Sequence, residues 1–66
     1  MSIVKVIEVI ASSEKGFDDA VKNAVVQASK TVNNIESVYV ENMKCKVEDN
    51  EIISYGVNAK ISFTVS

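Results

Sequence analysis

Ile52-Ile53-Ser54-Tyr55-Gly56-Val57-Asn58-Ala59-Lys60-Ile61-Ser62-Phe63-Thr64-Val65 is the stretch whose reading decides the fold. Taken two residues at a time, Ile53, Tyr55, Val57, Ala59, Ile61, Phe63 and Val65 are apolar, and Ser54, Gly56, Asn58, Lys60, Ser62 and Thr64 are small or polar. Successive side chains of a β-strand point to opposite faces, so this period of two predicts a strand with one face in a core. A helix would bring its apolar residues round every three or four positions instead.

Upstream, Ile3 to Ala11 reads as a first strand. Ile3, Lys5, Ile7 and Val9 share one face, and Val4, Val6, Glu8 and Ile10 share the other. Both faces are largely apolar, and a small domain can cover only one of them with its own core. A neighbouring subunit is the economical cover for the second. Ser12-Ser13-Glu14-Lys15-Gly16 then reads as a turn into a helix with Gly16 as N-cap. Asp18 and Asp19 fall in the first turn, where carboxylates suit the positive end of the helix dipole. Phe17, Ala20, Val21, Ala24, Val25, Ala28 and Val32 form an amphipathic stripe. Asp18 and Lys22 are spaced to pair on the opposite side, and Asn33-Asn34 ends the helix. Glu36 to Val47 is the second strand, with Tyr39, Met43, Cys45 and Val47 on one face and Val38 and Val40 on the other. Glu48-Asp49-Asn50-Glu51 is the turn of a hairpin into the third strand.

The helix reverses the chain, so the first two strands run parallel and the third runs against both. A fully antiparallel sheet therefore needs the third strand in the middle. The expected fold is α+β: a β-α-β-β chain whose three-stranded antiparallel sheet, in the order 1-3-2, wraps one amphipathic helix. The odd residues of the third strand face that helix and the even residues are left open.

Size and composition narrow the function. The chain has 66 residues, 47% of them hydrophobic, one domain over 1–66. So short a chain is marginal as a monomer and commonly adds disulfides, a metal or partner subunits. With one cysteine and no histidine, neither an internal disulfide nor a zinc site is expected, which leaves oligomerisation. A net charge of −2 speaks against nucleic acid as a partner. No apolar run is long enough for a membrane span, and the first residues lack the pattern of a secretory signal. A cytoplasmic location with a reduced thiol is the expectation.

The residues offer little for catalysis. Cys45 lacks a histidine to activate it and is expected to face the core as a small hydrophobe. Ser12 and Ser13 read as turn residues, and Gly16 and Gly56 stand alone rather than in a phosphate-binding loop. The chain is not expected to be an enzyme. The acidic run Glu48-Asp49-Asn50-Glu51 lacks EF-hand spacing and reads as a solvated turn.

The β-α-β-β order in so short a chain resembles the dodecin family. Val6-Ile7-Glu8-Val9-Ile10 with Ala11-Ser12-Ser13 looks like that family's first strand and following turn. Ala28-Ser29-Lys30-Thr31-Val32-Asn33-Asn34-Ile35 looks like its helix end, and Tyr55 to Phe63 like its last strand. The resemblance implies a hollow dodecamer in which the open sheet face meets neighbouring subunits. It also implies ligand binding and storage, since many dodecins hold paired flavins with a tryptophan at the start of the second strand, which sandwiches the ring, and a glutamine early in the third, which hydrogen-bonds its polar edge. Those positions fall on Ser37 and Gly56 here. Serine offers no π-face, where stacking is worth roughly 1–3 kcal/mol per ring, and glycine offers no amide. The expectation is therefore a dodecin-like small-ligand binding protein without the family's means of holding a flavin. Some family members are described as calcium-binding. In a symmetric shell one carboxylate per chain can recur around an axis, which makes Glu36 and Glu41, flanking Ser37, the candidate ligands for calcium or another divalent cation. A purely structural shell that keeps no ligand is the remaining alternative.

Overall fold

The structure, a computed structural model, describes residues 3–65. It contains β1 (Ile3–Ser13), α1 (Phe17–Ser29), β2 (Ile35–Glu48) and β3 (Glu51–Val65). β3 is the central strand of an antiparallel sheet ordered β1-β3-β2, as the direction of the three strands predicts. β1 pairs with it without interruption from Ile3↔Val65 to Ser13↔Tyr55.

β1 runs two residues further than expected, through Ser12 and Ser13. Ser13 is buried at 8% exposure. Its hydroxyl donates to Asp19 Oδ2 at 2.6 Å and accepts from the Lys15 amide at 2.9 Å. The Asn23 side chain donates to the Ser12 carbonyl at 3.1 Å. These bonds tie the strand end to the start of the helix, so the turn is confined to the residues after Ser13.

Gly16 caps α1 in an extended conformation, and its carbonyl accepts the first helical bond, from the Ala20 amide at 3.1 Å. The helix ends at Ser29, earlier than its apolar stripe suggests. Beyond it the Thr31 and Val32 amides both reach the Ala28 carbonyl, at 3.1 and 3.0 Å. Asn34 then adopts a left-handed conformation, φ 62°, which asparagine tolerates better than most residues. Among the described residues the ion pair is Lys60–Glu41, so the Asp18–Lys22 pair expected on the helix does not form.

The core lies between the helix and the odd residues of β3. Ala20, Ala24, Val57, Ala59 and Ile61 are at most 2% exposed, and Ala28 only 6%. Three alanines on one helical stripe let the helix axis approach the sheet closely. Ile7, Val9, Ala11, Ile35 and Val38 close round this centre, and Phe17 meets Tyr55 edge to face at 5.1 Å.

The second strand departs from the even alternation read from the sequence. Its register shifts between Ile35 and Ser37, between Val40 and Asn42, and between Lys46 and Val47. The extra residue at Glu41 is a β-bulge, and one extra residue reverses the facing of everything beyond it. Val38, Val40, Met43 and Cys45 lie opposite Ile61, Ala59, Val57 and Tyr55 and so share the helix side. Tyr39 lies opposite Lys60, on the other side. Grouping Tyr39 with Met43 and Cys45 is thus corrected by the bulge. Val47 falls beyond the last shift, opposite Ile52. The hairpin turn itself is only Asp49-Asn50, with φ 51° and 64°, the two-residue type I′ geometry that suits strand twist.

The helix is much shorter than the sheet. Thirteen helical residues span about 20 Å, against a longest molecular dimension of 52 Å. The hairpin end of β2 and β3 therefore projects beyond the helix, and Met43, Val47 and Ile52 are all more than half exposed.

Candidate functional site

No element among the described residues covers the sheet face turned away from α1. On β1 it carries Val4, Val6 and Ile10, which are 56%, 57% and 80% exposed, and on β2 Tyr39, 67% exposed. The ladder arranges this face in rows across β1, β3 and β2: Val6, Ser62 and Ser37; Glu8, Lys60 and Tyr39; Ile10, Asn58 and Asn42; Ser12, Gly56 and Lys44. Aliphatic side chains occupy the β1 margin, polar ones the centre, and a tyrosine and lysines the β2 margin.

Ser37 and Gly56 both lie on this face. They belong to different rows, six β3 positions apart through their partners Ser62 and Lys44, which is about 20 Å along a strand. The Ser37 hydroxyl is hydrogen-bonded to that of Ser62. At Gly56 a Cβ would meet the Lys44 carbonyl at 3.6 Å and the Ala11 carbonyl at 4.0 Å. Those are ordinary contacts, so the backbone does not require glycine here. With no side chain, Gly56 forms the floor of an open groove of about 410 Å³. Ile10, Ser12, Lys44, Lys46 and Ser54 wall it.

Glu36 and Glu41 are not brought together. Glu36 is exposed and sits at the first register shift, and Glu41 occupies the bulge. Glu41 is engaged: its Oε1 lies 3.2 Å from Lys60 Nζ. The hydrogen bond and charge of Glu41 raise the Lys60 pKa above its usual value, with smaller contributions from Glu8 and Tyr39. Among the described residues no three acidic or thiol groups converge as a metal site would need. Neither pair of candidate residues forms a closed site within one chain.

Cys45 is exposed, which corrects the expectation of a core position. It does point to the helix side, but opposite Tyr55, where the helix begins and its cover runs out. Ser12 and Ser13 are strand residues rather than turn residues, joined to Asn23 and Asp19 as described above.

Reading by residue type passed over three features of this face. Lys44 and Lys46 flank the Gly56 groove; the alternation Met43-Lys44-Cys45-Lys46 was available as a signal once the bulge is allowed for. The Asn58 side-chain oxygen is buried without a hydrogen-bond partner among the described residues. Lys60 is placed between two carboxylates, Glu8 directly across on β1 and Glu41 on β2.

Comparison with known proteins places this geometry. A dodecin family model matches residues 3–66. Among solved structures, dodecin from Streptomyces coelicolor is 31% identical, with 98% of this chain and 93% of that chain covered and a TM-score of 0.93. Dodecin from Streptomyces davaonensis is 25% identical, with 98% and 96% covered and a TM-score of 0.93. Calcium dodecin from Mycobacterium tuberculosis, a calcium-chelating antigen, is 26% identical, with 97% and 91% covered and a TM-score of 0.83. No curated protein matches the chain. The shared strand order, the single helix on one sheet face and the family match over nearly the full length lead to one conclusion: the chain belongs to the dodecin family.

Proposed function

We propose that the protein is a self-assembling binding and storage protein, a cytoplasmic homo-oligomer built as the hollow dodecamer expected of its family, and not an enzyme. The observation that carries this reading is the uncovered sheet face. Val4, Val6, Ile10 and Tyr39 are each more than half exposed in a single chain whose fully buried core is a handful of residues. An apolar face of that kind, on a domain this small, is supported by association. Nucleic acid and membrane are not proposed partners: the chain is acidic, and no helix among the described residues is long and apolar enough to cross a membrane. Catalysis has little support, since the chain has no histidine to activate the Cys45 thiol. Sedimentation of the purified protein tests assembly. A mass about twelve times the 7.2 kDa of one chain is expected, and a monomer would overturn the reading.

The ligand is proposed to be held by other means than the family's flavin clamp. Ser37 cannot stack on a ring and Gly56 cannot hydrogen-bond its edge. Purified protein is expected to be colourless and to release no flavin fluorescence on denaturation; a yellow preparation would reverse this. Likeness to calcium dodecin favours a second reading, a divalent-cation site completed between subunits. Glu36 is the freer candidate ligand, because Glu41 already holds Lys60. Calorimetric titration of metal-stripped protein with calcium should show heat that a Glu36→Gln, Glu41→Gln double variant lacks. Equal heats from both proteins would overturn the Glu36 and Glu41 site, and no heat from either would leave the third reading, a structural shell without a ligand.

A further inference from the structure

The uncovered face carries charge as well as apolar surface, and its two signs are separated. Glu8 on β1 stands opposite Lys60, but the Lys60 ammonium is held by Glu41 at 3.2 Å. Glu8 is thus a second carboxylate sharing one cation, set between the exposed aliphatic side chains of Val6 and Ile10. Four β3 positions away, Lys44 stands opposite Gly56, with Lys46 beyond it opposite Ser54. Among the described residues neither lysine has a carboxylate within ion-pair distance, since the pair found is Lys60–Glu41. Both lysines line the groove that the absent Gly56 side chain leaves open.

These poles occupy diagonally opposite corners about Asn58, the residue midway between Lys60 and Gly56 on β3. Glu8 lies on the β1 side and Lys44 on the β2 side. Four residues along the strand and two strand spacings across separate them by about 16 Å. Such a pattern is self-complementary. A two-fold axis lying in the interface, passing by Asn58 and perpendicular to the line joining the two corners, carries the acidic corner of one copy over the basic corner of its partner, and the reverse. The two sheets then cross at about 70°, closer to the orthogonal than to the aligned class of sheet packing.

We propose that a second copy of this chain seats on the uncovered face in this way, with Glu8 of each copy entering the Gly56 groove of the other to meet Lys44, and Lys46 beside it. This rests on the assembly reading above and adds which residues pair. A carboxylate covered by a partner without a cation is strongly unfavourable, so Glu8 needs such a group once its aliphatic neighbours are buried. The groove supplies the room and the lysines supply the charge. An unpaired lysine pair would be equally unfavourable under a partner that brought no anion. The Gly56 position, lacking a side chain, then serves contact between subunits.

The test is a charge swap. Glu8→Lys and Lys44→Glu, each alone, place like charges together at both symmetric contacts. Each should raise the concentration at which the assembly dissociates about tenfold or more, as read by sedimentation over a dilution series in mild denaturant. The Glu8→Lys, Lys44→Glu double variant restores opposite charges at both contacts and should recover most of that loss. Raised salt should narrow the difference between the parent and each single variant. Circular dichroism of each variant separates loss of fold from loss of contact, and recovery in the double variant does so independently. An oligomeric parent that tolerates both single reversals, or a double variant no better than the singles, overturns the pairing alone. A monomeric parent overturns the assembly reading with it.

Discussion

Lys60 Nζ lies 3.2 Å from Glu41 Oε1, although the residue directly across from Lys60 on β2 is Tyr39. The pair is diagonal because the bulge at Glu41 puts an extra residue into β2 and re-aims its side chain. Glu41 raises the Lys60 pKa by hydrogen bond and charge. A pKa raised on folding means that the pair's contribution is fully present below the ordinary lysine value of 10.5 and is lost as pH climbs through the raised value. Side-chain NMR titration of Lys60 should give a midpoint above that value in the parent, moving back towards it in Glu41→Gln. An unmoved midpoint would show that Glu41 does not hold the ammonium in solution.

Ile61 is wholly buried at the centre of β3, facing Ala24 and Ala28 on the helix. Ile61→Ala should lower stability by about 2–5 kcal/mol, the usual range for deleting a buried isoleucine side chain. The opposite change at the same contact, Ala24→Leu, forces bulk between helix and sheet and should cost about 1–3 kcal/mol. Denaturant unfolding at one fixed protein concentration measures both, since assembly makes the midpoint concentration-dependent. If Ala24→Leu were neutral, the close approach of helix to sheet would not be what the alanines provide.

How far these elements were legible in the residues depended on whether their cause was local. β3 was readable as a strand because alternation is a property of the strand itself, and its central position followed from the direction of the chain. The alanine stripe of α1 carried its own period, whereas β1 is apolar on both faces and was placed by the direction of the chain. Periodicity alone groups Tyr39 with Met43 and Cys45, because the extra residue at Glu41 leaves no compositional mark; a bulge shows only in how two strands pair. Cys45 has the right facing and the wrong burial, because whether a helix reaches a given strand position depends on relative length and docking. The same limit applies to the uncovered face. Ser37, Gly56, Glu36 and Glu41 were visible one at a time, but the opposition of Glu8, Lys60 and Lys44 across three strands is a fact of register.

The hairpin turn offers a local check on the register of β2. Asp49 and Asn50 both have positive φ, a conformation that costs an ordinary L-residue roughly 1–2 kcal/mol. Asn50→Gly should be tolerated or slightly stabilising, whereas Asn50→Val should lower the urea midpoint by an amount in that range. Equal midpoints for the two variants would argue that another turn geometry is in use.

The flavin clamp proposed to be absent at Ser37 and Gly56 can be built there to ask whether it alone is missing. Ser37 is exposed on the uncovered face, so a larger ring at that position meets no core contact. A Cβ at Gly56 would touch its nearest neighbour at 3.6 Å, so a glutamine stem fits without moving the backbone. Ser37→Trp supplies a stacking surface worth roughly 1–3 kcal/mol per ring, or about one to two orders of magnitude in affinity. Gly56→Gln supplies a side-chain amide. Titrating riboflavin against the parent, both single variants and the double variant, with quenching of flavin fluorescence as the readout, should give measurable binding that is strongest in the double variant. The single tryptophan variant should retain most of the gain, because stacking outweighs one exposed hydrogen bond. The amide variant has a second consequence. Its side chain fills the groove proposed to receive Glu8 of a partner, so Gly56→Gln should also weaken assembly in the sedimentation experiment. Flavin binding that rises with no loss of assembly would mean that the groove is free for a ligand, and that Glu8 finds its cation elsewhere.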